Sequence, residues 1–218
     1  MKTNVQTQSD VRAELAWDPA VRDGDIRVAA IDGVVTLTGT VPTYADRTAA
    51  QRAAERVFGV RAVANELAVA LPIVFERTDT DIARAVVDAL TWDVQVPDAR
   101  IKSAVSSGWV TLDGNVDWGF ERDAAVRAVR NITGVRGVTN NLIVTAKPVS
   151  TFDVSRGIKQ ALERHADRTA SHITVEARDG IVTLSGNVAS YGERRAAEGA
   201  AWAAPGVKEV KDHLAVTW

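Results

Sequence analysis

The chain says nearly the same thing three times within its 218 residues. Asp32-Gly33-Val34-Val35-Thr36-Leu37-Thr38-Gly39 returns as Ser107-Gly108-Trp109-Val110-Thr111-Leu112-Asp113-Gly114, and again as Asp179-Gly180-Ile181-Val182-Thr183-Leu184-Ser185-Gly186. The glycines that open these segments lie 75 and then 72 residues apart. A second marker moves in step: Gly59-Val60, Gly134-Val135 and Gly206-Val207. Two markers with shared offsets define a repeated folding unit, not a repeated short motif. The units span 5–71, 78–146 and 150–218. A unit of about 70 residues is only marginally stable on one core, so packing between units would help.

Each unit reads as helix, strand, strand, helix, strand. In the second unit Ile82, Val86 and Leu90 recur every fourth position, with Ala85 and Ala89 beside them, which is one helical face. Thr78, Thr80 and Asp81 suit its N-cap. Two β-rich runs then flank Ser107-Gly108, as other runs flank Asp32-Gly33 and Asp179-Gly180. Such a dipeptide between two strands predicts a hairpin with a type I′ turn. A second helix follows, with Thr43-x-x-Asp46 and Ser190-x-x-Glu193 resembling capping boxes. Gly59, Gly134 and Gly206 stop it in a left-handed conformation, and the last strands run over 62–70, 137–145 and 209–217.

The expected architecture is α+β: three tandem α-β-β-α-β units, each a three-stranded sheet with both helices on one face. The second helix is a crossover, so the last strand runs parallel to the second. Whether the two are neighbours is left open. In the first unit, the opening helix is expected to begin near Gln6, which aligns Val11, Leu15 and Trp17 with Val86, Leu90 and Trp92. The connectors Pro72–Arg77 and Ala146–Ser150 hold a proline and apolar residues, not a Gly/Ser tract. Ile73, Val74 and Phe75 are expected to touch a neighbouring unit.

The formal charge of -2 comes from 26 basic and 28 acidic residues. No unit carries the basic patch of a nucleic-acid binder, and no polybasic run points to anionic membranes. The absence of cysteine removes disulfides, thiolate nucleophiles and cysteine-bound metals. Residues 1–10 lack the apolar stretch of a signal peptide, and nothing approaches the about 18–20 apolar residues of a membrane span. A cytoplasmic, non-transmembrane protein is expected.

The pattern resembles the BON domain, named for bacterial osmotically induced and nodulation proteins. The residues that carry the likeness are the hairpin segments above, the acid-arginine pairs Asp46-Arg47, Glu121-Arg122 and Glu193-Arg194, and the Gly-Val before each last strand. The resemblance covers nearly the whole chain, three times over. It implies an α-β-β-α-β fold and a binding role linked to envelope or osmotic stress, with phospholipid as a proposed ligand. It also implies one alternative, a potassium sensor; a structural or chaperone-like interaction module, whose repeats stabilise a partner, is a second alternative beside it.

Chemistry is harder to find. His165, His172 and His213 show no metal-ligand spacing. There is no Gly-x-Ser-x-Gly elbow and no phosphate-binding glycine loop. No enzyme activity, cofactor or metal is therefore expected. Arg47, Arg122 and Arg194 begin the second helices; they read as helix-end charges with local ion pairs, or as anion contacts for lipid headgroups. Trp17 and Trp92 occupy equivalent positions and read as core or core-edge packing. Trp118-Gly119-Phe120 stands where the other units have Thr43-Tyr44 and Ser190-Tyr191. It reads as a contact between units, or as an exposed aromatic pad for a membrane interface or partner, with Tyr44 and Tyr191 as weaker versions.

Overall fold

The computed structural model describes residues 2–22, 25–145, 151–165 and 173–217. The second connector at 146–150, His172, Trp218 and the side chain of His165 lie outside the described residues. The first unit holds α1 (Asn4–Trp17), β1 (Asp25–Ile31), β2 (Val34–Val41), α2 (Tyr44–Arg56) and β3 (Ala62–Val69). The second holds α3 (Asp79–Trp92), β4 (Ile101–Ser106), β5 (Trp109–Val116), α4 (Gly119–Arg130) and β6 (Gly137–Val144). The third holds α5 (Thr151–His165), β7 (Ile173–Arg178), β8 (Ile181–Val188), α6 (Tyr191–Trp202) and β9 (Glu209–Val216).

The three sheets run β1-β2-β3, β4-β5-β6 and β7-β8-β9. Each hairpin pair is antiparallel, and each crossover returns the last strand parallel and directly beside the middle one, as in Val34 opposite Ala62. The neighbour relation that the sequence left open is thus settled. Asp32 at φ 50° and Gly33 at φ 80° form the turn of positive dihedrals that a two-residue I′ hairpin needs. Ser107-Gly108 and Asp179-Gly180 repeat it.

The first helix pins that turn. Asn4 Oδ1 accepts from the Asp32 backbone N–H at 3.0 Å. In the second unit Asp79 accepts from the N–H groups of Ser107 and Gly108 at 2.7 and 2.8 Å. This explains where α1 begins. It starts at Asn4, two residues before Gln6, and matches α3 at 14 residues. Thr3 and Gln6 close a capping box around its start.

Each core lies between one sheet face and its two helices. Val110, Leu112 and Val116 from β5 meet Ile82, Val86 and Leu90 from α3 and Ala125 and Val129 from α4, all buried. Val35, Leu37 and Val41, and then Val182, Leu184 and Val188, do the same elsewhere. The alternation of strand residues makes this one-sided burial possible.

Two packing expectations fail. Trp17 and Trp92 are 83% and 86% exposed, so neither is core. The buried stripe at 11 and 15, or 86 and 90, has ended before them. In the connector, Ile73 and Val74 point to solvent and only Phe75 is half-buried. A tight 3-10 turn over Ile73–Phe75 turns the first two outward.

The second helices join the units head to tail. Tyr44, the first residue of α2, packs on the core of the second unit and faces the segment after α4 across a cleft. Gly119, the first residue of α4, lies against Trp202, the last residue of α6. Near the start of α6, Arg195 pairs with Glu55 at the end of α2, at 2.5 Å. Glu55, Arg130 and Trp202 are equivalent positions. One heterologous contact, used three times, closes a pseudo-threefold ring.

Candidate functional site

The sequence-nominated residues divide between the seams and the surface. Tyr44 is spent on the first seam. Tyr191 is half-buried against its own unit's core. Trp118 and Phe120 stack with centroids 6.3 Å apart and remain partly accessible, at 38% and 48%. Trp118 replaces a capping hydroxyl, and Glu121 compensates: its carboxylate accepts from the N–H groups of Asp117 and Trp118 at 2.8 and 3.1 Å. Thr43 and Ser190 cap α2 and α6 by accepting from the N–H of Asp46 and Glu193.

The three equivalent arginines are used inside the fold. Arg47 donates to the Asn65 carbonyl at 3.0 Å. The Arg122 guanidinium sits 4.0 Å from the Trp202 ring centroid, across the second seam. Arg194 donates from Nε to Asp212 at 2.6 Å, and that bond raises its pKa further above the ordinary arginine value. Gly59, Gly134 and Gly206 hold positive φ after their helices, as expected. His213 lies on the exposed face of β9, away from the core. Among the described residues, no three His, Cys, Asp or Glu side chains group to hold a metal ion, and no helix is long and apolar enough to cross a membrane.

What the surface does offer is apolar. Trp17 and Trp92 share one position at the tips of the first helices, and Val94 beside Trp92 is 99% exposed. Trp17 ends the first helix of the first unit and Trp92 that of the second, each left in solvent. The third unit carries Arg164 at this position. The acid that follows each indole, Asp18 or Asp93, caps the helix end. The carboxyl of Asp18 is held below its usual range, chiefly by a hydrogen bond from Arg56.

A BON domain family model matches three stretches, residues 3–70, 78–146 and 150–217. The chain belongs to the BON domain family. Among curated BON relatives, osmotically-inducible protein Y of Escherichia coli (strain K12) is 32% identical over 143 residues, covering 62% of this chain and 71% of that one. Among solved structures, CdsD, a structural protein of the type III secretion system of Chlamydia trachomatis, is 13% identical. It covers 96% of this chain and 91% of its own, with a TM-score of 0.28.

One repeated feature of the BON units escaped the sequence reading. Arg61, Arg136 and Lys208 share a position, and their side-chain stems lie over the turn glycines Gly33, Gly108 and Gly180. The offsets of 75 and 72 would have found them. In the sequence Arg and Lys at such a position read as ordinary surface charge.

Proposed function

We propose that this BON protein is a non-catalytic, stress-associated binding protein that docks on phospholipid surfaces through the first-helix tips. The observation that carries the reading is the exposure of Trp17 and Trp92 at equivalent helix tips of two units. A large indole left 83% and 86% in water is costly for a lone monomer. Indole suits the membrane interface, where its ring contacts acyl chains and its N–H stays wet. Val94 extends the apolar contact, and the Trp118–Phe120 stack supplies a second patch on the same unit. Two weak contacts carried by one chain act together, which raises avidity without new chemistry. The similarity to an osmotically-inducible protein supports the stress association.

Docking of this kind leans on apolar contact more than on charge. The net charge is -2, and Asp18 and Asp93 flank the two indoles. Co-sedimentation with zwitterionic and with anionic vesicles tests the reading. Binding to both, with shallow salt dependence, is expected. A protein that stays in the supernatant with both would overturn it.

A further inference from the structure

The third seam contains a cleft of about 680 Å3 between the first unit and the end of β9. Its volume lies in the range of about 300–1,000 Å3 common for small-molecule sites. Lys2, Arg61, Phe58 and Val216 line it, with the hairpin turn Asp32-Gly33. A neighbouring recess shares Asp32, Arg61 and Val216, so Arg61 stands between the two spaces.

Its chemistry is two-sided. Phe58 is 51% exposed. The Arg61 guanidinium makes no ion pair or hydrogen bond among the described residues, while its stem lies over Gly33. Lys2 reaches the same place, pairing with Asp10 at 2.7 Å and lying 5.5 Å from the Phe58 ring centroid. Against these cations, the described lining holds one carboxylate, Asp32. The corresponding loop of the second unit, after α4, meets the connector residues Leu71 and Phe75, and the space there is smaller, about 420 Å3. In the third seam, Phe58 and Gly59 meet the strand end Val216–Thr217 across the wider cleft.

We propose that this cleft binds a small organic carboxylate with an apolar body. The carboxylate pairs with Arg61 and Lys2, and the body lies against Phe58 and Val216. A guanidinium whose head has no partner among the described residues suits a carboxylate, which it meets through two parallel N–H groups. The ligand touches the first and third units together, so it binds the closed ring and stabilises that seam by mass action.

Octanoate is a suitable probe, titrated by calorimetry and followed by thermal melts, with acetate and 1-octanol as head-only and body-only controls. The expected result is saturable octanoate binding with a rise in Tm, and at least about tenfold weaker binding of each control. Arg61→Glu should lose about tenfold or more. Arg136→Glu, which alters the equivalent side chain over the second unit's turn, should keep full affinity and so controls for folding. The Trp17→Ala/Trp92→Ala double variant should also keep it, which separates this site from vesicle docking. No saturable octanoate binding at millimolar concentration, equal binding of 1-octanol, or an equal loss in both arginine variants would overturn the proposal.

Discussion

Arg194 and Asp212 form a 2.6 Å bond through Nε, whereas the equivalent Arg47 in the first unit faces Asn65 and leaves its Nε buried without a partner among the described residues. The backbone places the two pairs alike. In both, the strand residue also accepts from the N–H two positions on, Leu67 or Leu214. The difference is the carboxylate. Replacing Asp212 by Asn therefore reproduces the unpaired arginine in the third unit. Asp212→Asn should cost about 1–3 kcal/mol, as expected when a partly buried charged hydrogen bond is lost. Urea denaturation measures it, and an unchanged midpoint would mean that the pair contributes nothing.

The final glycine of the hairpin segment matters more than the turn glycine. A Cβ on Gly39, at φ 118°, would lie 1.7 Å from the Asp25 carbonyl oxygen. A Cβ on Gly33 meets mainly the flexible Arg61 side chain, at 2.8 Å. Gly33→Ala should cost about 1 kcal/mol, and Gly39→Ala should cost more, about 2–3 kcal/mol or loss of the folded unit. Thermal melts of the two variants decide. Equal midpoints would contradict the backbone contact.

Trp202 is shared by the cores of the second and third units. Its truncation opens a seam as well as a core. Trp202→Ala should destabilise by about 2–4 kcal/mol, somewhat below the cost at a fully buried site. It should also lower the protection of α4 amides in hydrogen exchange. A loss of protection confined to the third unit would show that the seam is not a working contact.

Acid tests the end of α1. Arg56 bonds Asp18 and Glu14 at 2.6 and 2.9 Å, and the Asp18 pKa is lowered in the folded state. A depressed carboxyl adds stability above its unfolded pKa of about 3.9 and loses it as pH falls through the folded value. Wild type should therefore lose stability between about pH 4 and pH 2 more steeply than Asp18→Asn. The pair is partly exposed, so the difference is small and shrinks with salt. Parallel acid dependence in the two proteins would remove Asp18 from the account.

The fold was legible because its markers are local. Asp-Gly with alternating Val and Leu specifies a hairpin without reference to the rest of the chain. The spacing of Ile82, Val86 and Leu90 specifies one buried face. The seams were not legible, since Glu55, Arg130 and Trp202 share a position but no chemistry. Trp17 and Trp92 differ from expectation for a related reason: a tryptophan in a periodic helix resembles core, and only the burial in the fold shows that the stripe stops at Leu15 and Leu90. Asn4 was missed as the start of α1 because its role is a bond to a turn 28 residues away.

Vesicle co-sedimentation of wild type beside the Trp17→Ala/Trp92→Ala double variant tests the central claim most directly. Both residues are exposed, so the variant should fold normally. The account predicts that wild type binds zwitterionic and anionic vesicles and that the double variant binds about tenfold or more weakly, each indole adding about 1–2 kcal/mol of apolar burial. Equal sedimentation of the two proteins would contradict it.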